Sequence, residues 1–107
     1  MVTISKDNKV VTLVNVFTVE PKNQQKLIDL LVEATEKTMK NVSGFVSANI
    51  HKSLDGGRVV NCAQWQSRED FEAMRKIPEA QAHMKPVMEI AKADFHLYEV
   101  ADTFELS

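Results

Sequence analysis

From Val10 to Val19 the chain reads VVTLVNVFTV, a β-branched run too apolar for a strand wetted on one side. It predicts a strand buried on both faces, central in a sheet or at an oligomer contact. The period of two puts Leu13, Asn15, Phe17 and Val19 on one face and Val14, Val16 and Thr18 on the other. Asn15 is the odd member, because asparagine is depleted in strands. After Glu20-Pro21 the period lengthens. Leu27, Leu30, Leu31, Ala34 and Thr38 form one stripe of an amphipathic helix from about Asn23 to Met39, with Asn23 as its N-cap. The outer side of that helix (Lys26, Asp29, Glu33, Glu36, Lys37, Lys40) mixes both signs and predicts a solvated face.

Gly44 marks the exit into a second strand, Phe45–Leu54, with Val46, Ala48 and Ile50 on one face and Ser47, Asn49 and His51 on the other. Asp55-Gly56-Gly57 supplies hairpin-turn chemistry. The third strand, RVVNCAQWQS from Arg58 to Ser67, sets Val59, Asn61, Ala63 and Trp65 on one face. Ser67 and Asp70 resemble a capping box with Asp in the acidic position. Helical spacing then runs through Phe71, Met74 and Ile77 until Pro78 interrupts it. A second helical piece carries Ala80, His83, Met84, Val87, Met88 and Ile90, with a bend near Pro86. Phe95–Phe104 alternates as a fourth strand, and Met1–Lys9 reads as a polar arm ahead of a core spanning 10–105.

The resulting order, β-α-β-β-α-β, predicts an α+β, ferredoxin-like domain: an antiparallel sheet with both helices on one face. The other sheet face is left bare. Some of Val14, Val16, Val46 and Ile50 fall there, and exposing them is expensive, at roughly 1.5–3 kcal/mol for each large aliphatic. A twofold homodimer with the two sheets packed face to face removes that cost.

Composition narrows the partners. The 107 residues make one domain, and 44% hydrophobic with 26% charged residues is ordinary for a soluble globular chain. A net charge of −2 offers no field for phosphates, so nucleic acid is not expected as a partner. No apolar run reaches membrane-spanning length and no signal peptide is evident, which points to a cytoplasmic protein without membrane contact. The single cysteine, Cys62, reads as a small buried hydrophobe and rules out an internal disulfide or a multi-cysteine metal site.

No phosphate loop, HExxH or Cys/His cluster is present, and His51, His83 and His96 lie on separate elements, so no metal site is expected. The chemistry left over is neutral: Asn15, Asn61, Trp65 and His83, polar residues on otherwise apolar elements. Singly, each is more economically a side chain satisfied by backbone or water. Jointly, amide and indole groups on neighbouring strands under an imidazole from the covering helix have the composition of a small-molecule pocket.

Arg58 through Phe71, RVVNCAQWQSREDF, with Asn61 and Trp65 four apart ahead of the second helix, resembles the third-strand segment of the antibiotic biosynthesis monooxygenase domain family. Gly44-Phe45 and Leu54-Asp55-Gly56 fit the same pattern, and the likeness spans about 10–105. It implies a dimeric α+β barrel. It further implies a monooxygenase that needs no metal, flavin or other cofactor, and that oxidises a small aromatic phenol, quinol or anthrone with O₂ to a quinone. By position, Asn61 and Trp65 are then the donors to the substrate oxygen. Anthrone oxidases of the family add a tyrosine and an arginine from the second helix, where this chain offers Phe71 and His83-Met84-Lys85. A second branch of the fold degrades heme through a first-strand Asn and a helix-two His, positions resembling Asn15 and His83, with Met74 in place of a heme-distorting tryptophan. The runner-up readings are therefore heme as a cofactor held by His83, or a non-catalytic dimeric module that binds a small aromatic.

Overall fold

The first strand, β1 (Val11–Val19), lies in the interior of the sheet, as its apolar run requires. Leu13, Asn15, Phe17 and Val19 all point to one buried face, while Val14 and Val16 are only half-buried on the other. The computed structural model describes residues 10–106, so the expected arm at 1–9 lies outside the described residues. Chain order continues with α1 (Gln24–Lys37), β2 (Phe45–Lys52), β3 (Arg58–Trp65), α2 (Arg68–Arg75), α3 (Pro78–Ile90) and β4 (Ala91–Tyr98). The sheet order is β2-β3-β1-β4, and every neighbouring pair is antiparallel. This is the expected ferredoxin-like α+β arrangement.

Two apolar clusters sit between the sheet and the helices. Phe17, Val19, Leu27, Leu31, Val59, Val87 and Ala91 form one; Leu13, Ala63, Trp65 and Phe71 form the other. The α1 stripe contributes as its spacing predicts, with Leu27, Leu31, Ala34 and Thr38 buried. Asn23 is corrected. It precedes the helix but makes no side-chain cap bond, because a short 3-10 turn at Pro21–Asn23 already starts the helical path. The side chain of Gln24 instead donates to the carbonyls of Ser53 and Arg58 at 3.1 and 3.0 Å, tying the helix start to the β2–β3 hairpin.

Ser67 is the cap of α2, its hydroxyl accepting from the Asp70 N–H at 3.0 Å and donating to the Asp70 carboxylate at 2.9 Å. Pro78 does more than interrupt a helix. It opens α3 at the first helical position, and Ile77 before it is extended, as a residue ahead of proline must be. The helix runs on through Pro86. The missing N–H leaves the carbonyl four residues back, on exposed Ala82, without its helical donor.

Three other expectations shift. The last strand begins at Ala91, directly off α3, and ends at Tyr98, because β1 offers partners only from Val19↔Ala91 to Thr12↔Tyr98. Residues 99–104 therefore lie outside the sheet, and Phe104 is exposed. Ile50 pairs with Asn61 and belongs to the helix-covered face, whereas Val46 occupies an irregularity between Phe45 and Ser47 and is 44% exposed. Cys62 is half-buried on the bare sheet face.

Candidate active site

The strand register decides which side chains meet. Asn61 on β3 stands directly opposite Asn15 on β1, and Asn15 in turn opposes Phe95 on β4. Two residues along β3, Ala63 lies between Leu13 and Ala48, so this row is largely short side chains. Trp65 follows, beside Phe45. The small row leaves space on the sheet floor between a row of amides and a row of rings. Helices α1, α2 and α3 roof it, and the half-open cavity measures about 520 Å³, within the range that small-molecule sites occupy.

The walls are mostly apolar and include Met39, Met74, Met84 and Met88, every methionine of the chain except the first. Unbranched thioethers adapt to a flat ligand without a fixed shape. A row of edge-to-face rings flanks the space: Phe45 to Trp65 at 5.6 Å between centroids, Trp65 to Phe71 at 6.2 Å, and Phe71 to Phe95 at 5.9 Å. Within this lining, Asn15 Oδ1, Asn61 Oδ1 and Trp65 Nε1 are buried with no hydrogen-bond partner. A half-turn of either amide exchanges its oxygen and nitrogen, so each asparagine can offer a donor or an acceptor. Leaving such groups unpaired costs about 1–3 kcal/mol each. Three of the seven such atoms among the described residues belong to residues lining this one cavity.

Three of the four polar residues singled out from the sequence, Asn15, Asn61 and Trp65, are thus brought together. His83 is not. Ala80, Gln81, Met84, Lys85 and Met88 line the cavity from α3, and His83 does not. At 3.6 residues per turn it lies roughly a third of a turn off that face, towards α1. On that helix the Glu33 carboxyl is held below the usual range chiefly by the Lys37 ammonium 3.0 Å away. An iron ligand must point into the cavity that holds the macrocycle. His83 as axial ligand, and with it the heme reading, is therefore corrected. Hemin is expected to give the same Soret spectrum with wild-type protein and His83→Ala, and O₂ consumption with a phenolic substrate is expected to be equal in the two.

Lys85, which falls where the family's second-helix arginine is expected, lines the cavity, as do Arg75 and Gln81, which were not singled out from the sequence. Arg75 sits in a mixed-charge run, and nothing in its spacing separates it from a solvated helix residue. Among the described residues no group of three His, Cys, Asp or Glu side chains could hold a metal, and no helix is long and apolar enough to cross a membrane.

The family model described as antibiotic biosynthesis monooxygenase matches residues 10–86. The chain belongs to the antibiotic biosynthesis monooxygenase family. A curated relative, the tetracenomycin-F1 monooxygenase of Streptomyces glaucescens, is 43% identical over 104 residues, covering 97% of this chain and 93% of the relative. The solved monooxygenase from the ActVA-Orf6 gene of Streptomyces coelicolor, in complex with nanaomycin D, superposes with a TM-score of 0.76 at 27% identity, over 92% of this chain and 95% of that one. SnoaB of Streptomyces nogalater, described as a cofactor-independent oxygenase, shares the fold with a TM-score of 0.73 at 21% identity, over 89% and 96%. The protein is a monooxygenase of the antibiotic biosynthesis type. That likeness, near full length, displaces the reading of an inert binding module.

Proposed function

We propose that this protein is a cytoplasmic, cofactor-independent monooxygenase that oxidises a phenol, quinol or anthrone-type aromatic with O₂ to a quinone, with Asn61 and Trp65 as donors to the reacting oxygen. The observation that carries the reading is the set of unpaired buried polar atoms, Asn15 Oδ1, Asn61 Oδ1 and Trp65 Nε1, in an otherwise apolar cavity. Two relatives, a tetracenomycin-F1 monooxygenase and a monooxygenase solved with nanaomycin D, support a substrate of that kind.

The electron count explains why no cofactor is needed. Converting a phenol C–H to a quinone C=O releases four electrons, the number that reduces one O₂. The ionised substrate gives one electron to O₂, and the two radicals recombine to form a C–O bond. The resulting hydroperoxide then loses water while the ring C–H proton leaves and the carbonyl forms. One oxygen atom ends in the quinone and one in water. The protein's task is to stabilise the phenolate and exclude solvent. Among the described residues Arg75 and Lys85 are the titratable ones lining the cavity, with no acid, imidazole or tyrosine. The phenolic proton passes to water at the cavity's open side, and preformed N–H donors aimed at the oxygen lower the cost of the anion left behind. Asn15 faces Asn61 across the β1–β3 ladder and adds a second amide to the same wall. The test is O₂ uptake by chelator-treated protein with hydroxynaphthalenes and anthrones under ¹⁸O₂. One O₂ consumed and one labelled atom gained per quinone is expected; uptake that the chelator abolishes, or peroxide as the product, overturns the reading.

The protein also acts, in this reading, as a homodimer packed through the bare sheet face. Val14, Val16, Val60 and Cys62 lie half-buried there in adjoining positions of β1 and β3. Sedimentation at micromolar concentration is expected to give a dimer, and Val16→Asp, which places a charge in that contact, a monomer. A monomeric wild-type protein refutes it.

A further inference from the structure

We propose that Arg75 recognises a carboxylate carried by the aromatic substrate, at the end of the molecule away from the reacting oxygen; this deepens the oxygenase reading and rests on it. Arg75, the last residue of α2, holds its guanidinium 4.8 Å from the ring centroid of Phe95 and 5.9 Å from that of Phe71. Those rings continue the row that begins at Trp65, so Phe71 stands between the indole and the guanidinium. A flat molecule whose hydroxyl meets the Asn61–Trp65 wall therefore extends along the rings towards Arg75.

The charge balance of the lining sets the chemistry. Among the described residues Arg75 and Lys85 line the cavity and no carboxylate does. Arg75 has one acidic neighbour, Glu72, outside the lining, with 3.5 Å between one guanidinium nitrogen and one carboxylate oxygen, both side chains being close to half exposed. A single long contact of that kind is worth little and leaves most of the five-donor fork free. Contact with the Phe95 ring, 4.8 Å from its centroid, restrains the guanidinium, and a carboxylate arriving along the ring row can be bound by two parallel N–H donors. Lys85 is exposed, with no ion-pair or ring partner among the described residues, and supplies unfixed positive charge. A ring carboxylate, with a pKa near 4, is ionised throughout the working range, whereas the reacting hydroxyl must be ionised by the site itself.

Because Trp65 is the chain's only tryptophan, its fluorescence reports occupancy without turnover. Anaerobic titrations should use 6-hydroxy-2-naphthoate, with hydroxyl and carboxylate at opposite ends, and 2-naphthol, which lacks the acid. Wild type is expected to bind the naphthoate more tightly, by about 10- to 100-fold from one charge-assisted pair, with an advantage that shrinks at high salt. Arg75→Gln is expected to erase that preference while leaving 2-naphthol affinity unchanged, and Arg75→Lys to restore part of it. With oxidised substrates, Arg75→Gln raises KM for the acid and leaves kcat in place. Equal affinity of wild type for the two ligands, or an equal loss for both in Arg75→Gln, overturns the proposal. Selective binding without any O₂ uptake would overturn the oxygenase reading alone, and no quenching by either ligand would overturn both.

Discussion

Replacing Trp65 by Phe, or Asn61 by Ala, is expected to slow O₂ uptake about 100- to 1,000-fold, the usual cost of removing one donor to a developing oxyanion. Trp65→Phe is the cleaner of the two. Trp65 is 2% exposed and packs edge-to-face on Phe45 and Phe71, contacts that a phenyl ring largely keeps. What it loses is Nε1–H, which has no partner inside the protein. A stability change should therefore be small beside the rate change, and thermal unfolding run in parallel separates the two. Asn61→Ala removes the amide and leaves the facing Asn15 without its neighbour, so some reorientation accompanies the loss. Rates equal to wild type in both variants would mean that neither group touches the reacting oxygen.

Gly44→Ala is expected to destabilise the fold by about 2–4 kcal/mol, combining left-handed backbone strain with steric overlap. Gly44 has φ +89°, and a Cβ built there falls within the side chain of Asp70. Asp70 cannot easily move away, because its carboxylate is held by the Ser67 hydroxyl at the start of α2. The glycine carbonyl meanwhile accepts from the Gln66 N–H at 2.8 Å. Close approach at Gly44 thus fixes how β2 meets the end of β3 and where α2 begins. Since α2 carries Phe71 and Arg75 to the cavity, the same substitution is expected to impair the site. In a domain of this size the melting temperature should fall by roughly 10–20 °C. Gly44→Ala with Asp70→Ala should recover only part of that, because the backbone strain persists and a cap partner is lost. An unchanged melting temperature would show that the chain relaxes at little cost.

What was legible in the sequence followed from strict periodicity. The alternation in β1 and β3 placed Asn15, Asn61 and Trp65 on one covered face, and the sheet register brings them there. The helical stripe of α1 was equally plain. The misplaced fourth strand had a different cause. Ala91-Lys92-Ala93-Asp94 has little intrinsic strand preference, and it is a strand because β1 offers it a ladder. His83 looked like a cavity residue because it sits among apolar neighbours on α3. Its exact angle around the helix, together with the start of that helix at Pro78, turns it towards α1. Arg75 was invisible for the opposite reason: its role depends on Phe95, which is twenty residues away and reached only through the sheet.

If the cavity stabilises a phenolate, the ionisation of a bound phenol shifts in a way that can be read without turnover. Burial alone raises the pKa of a phenol, whereas N–H donors aimed at the anion lower it. A chromophoric hydroxynaphthalene titrated anaerobically, free and at saturating protein, is expected to show its phenolate band at least about one pH unit lower when bound. Trp65→Phe should give back most of that difference. A bound pKa equal to or above the free value, unaltered in Trp65→Phe, would contradict the account.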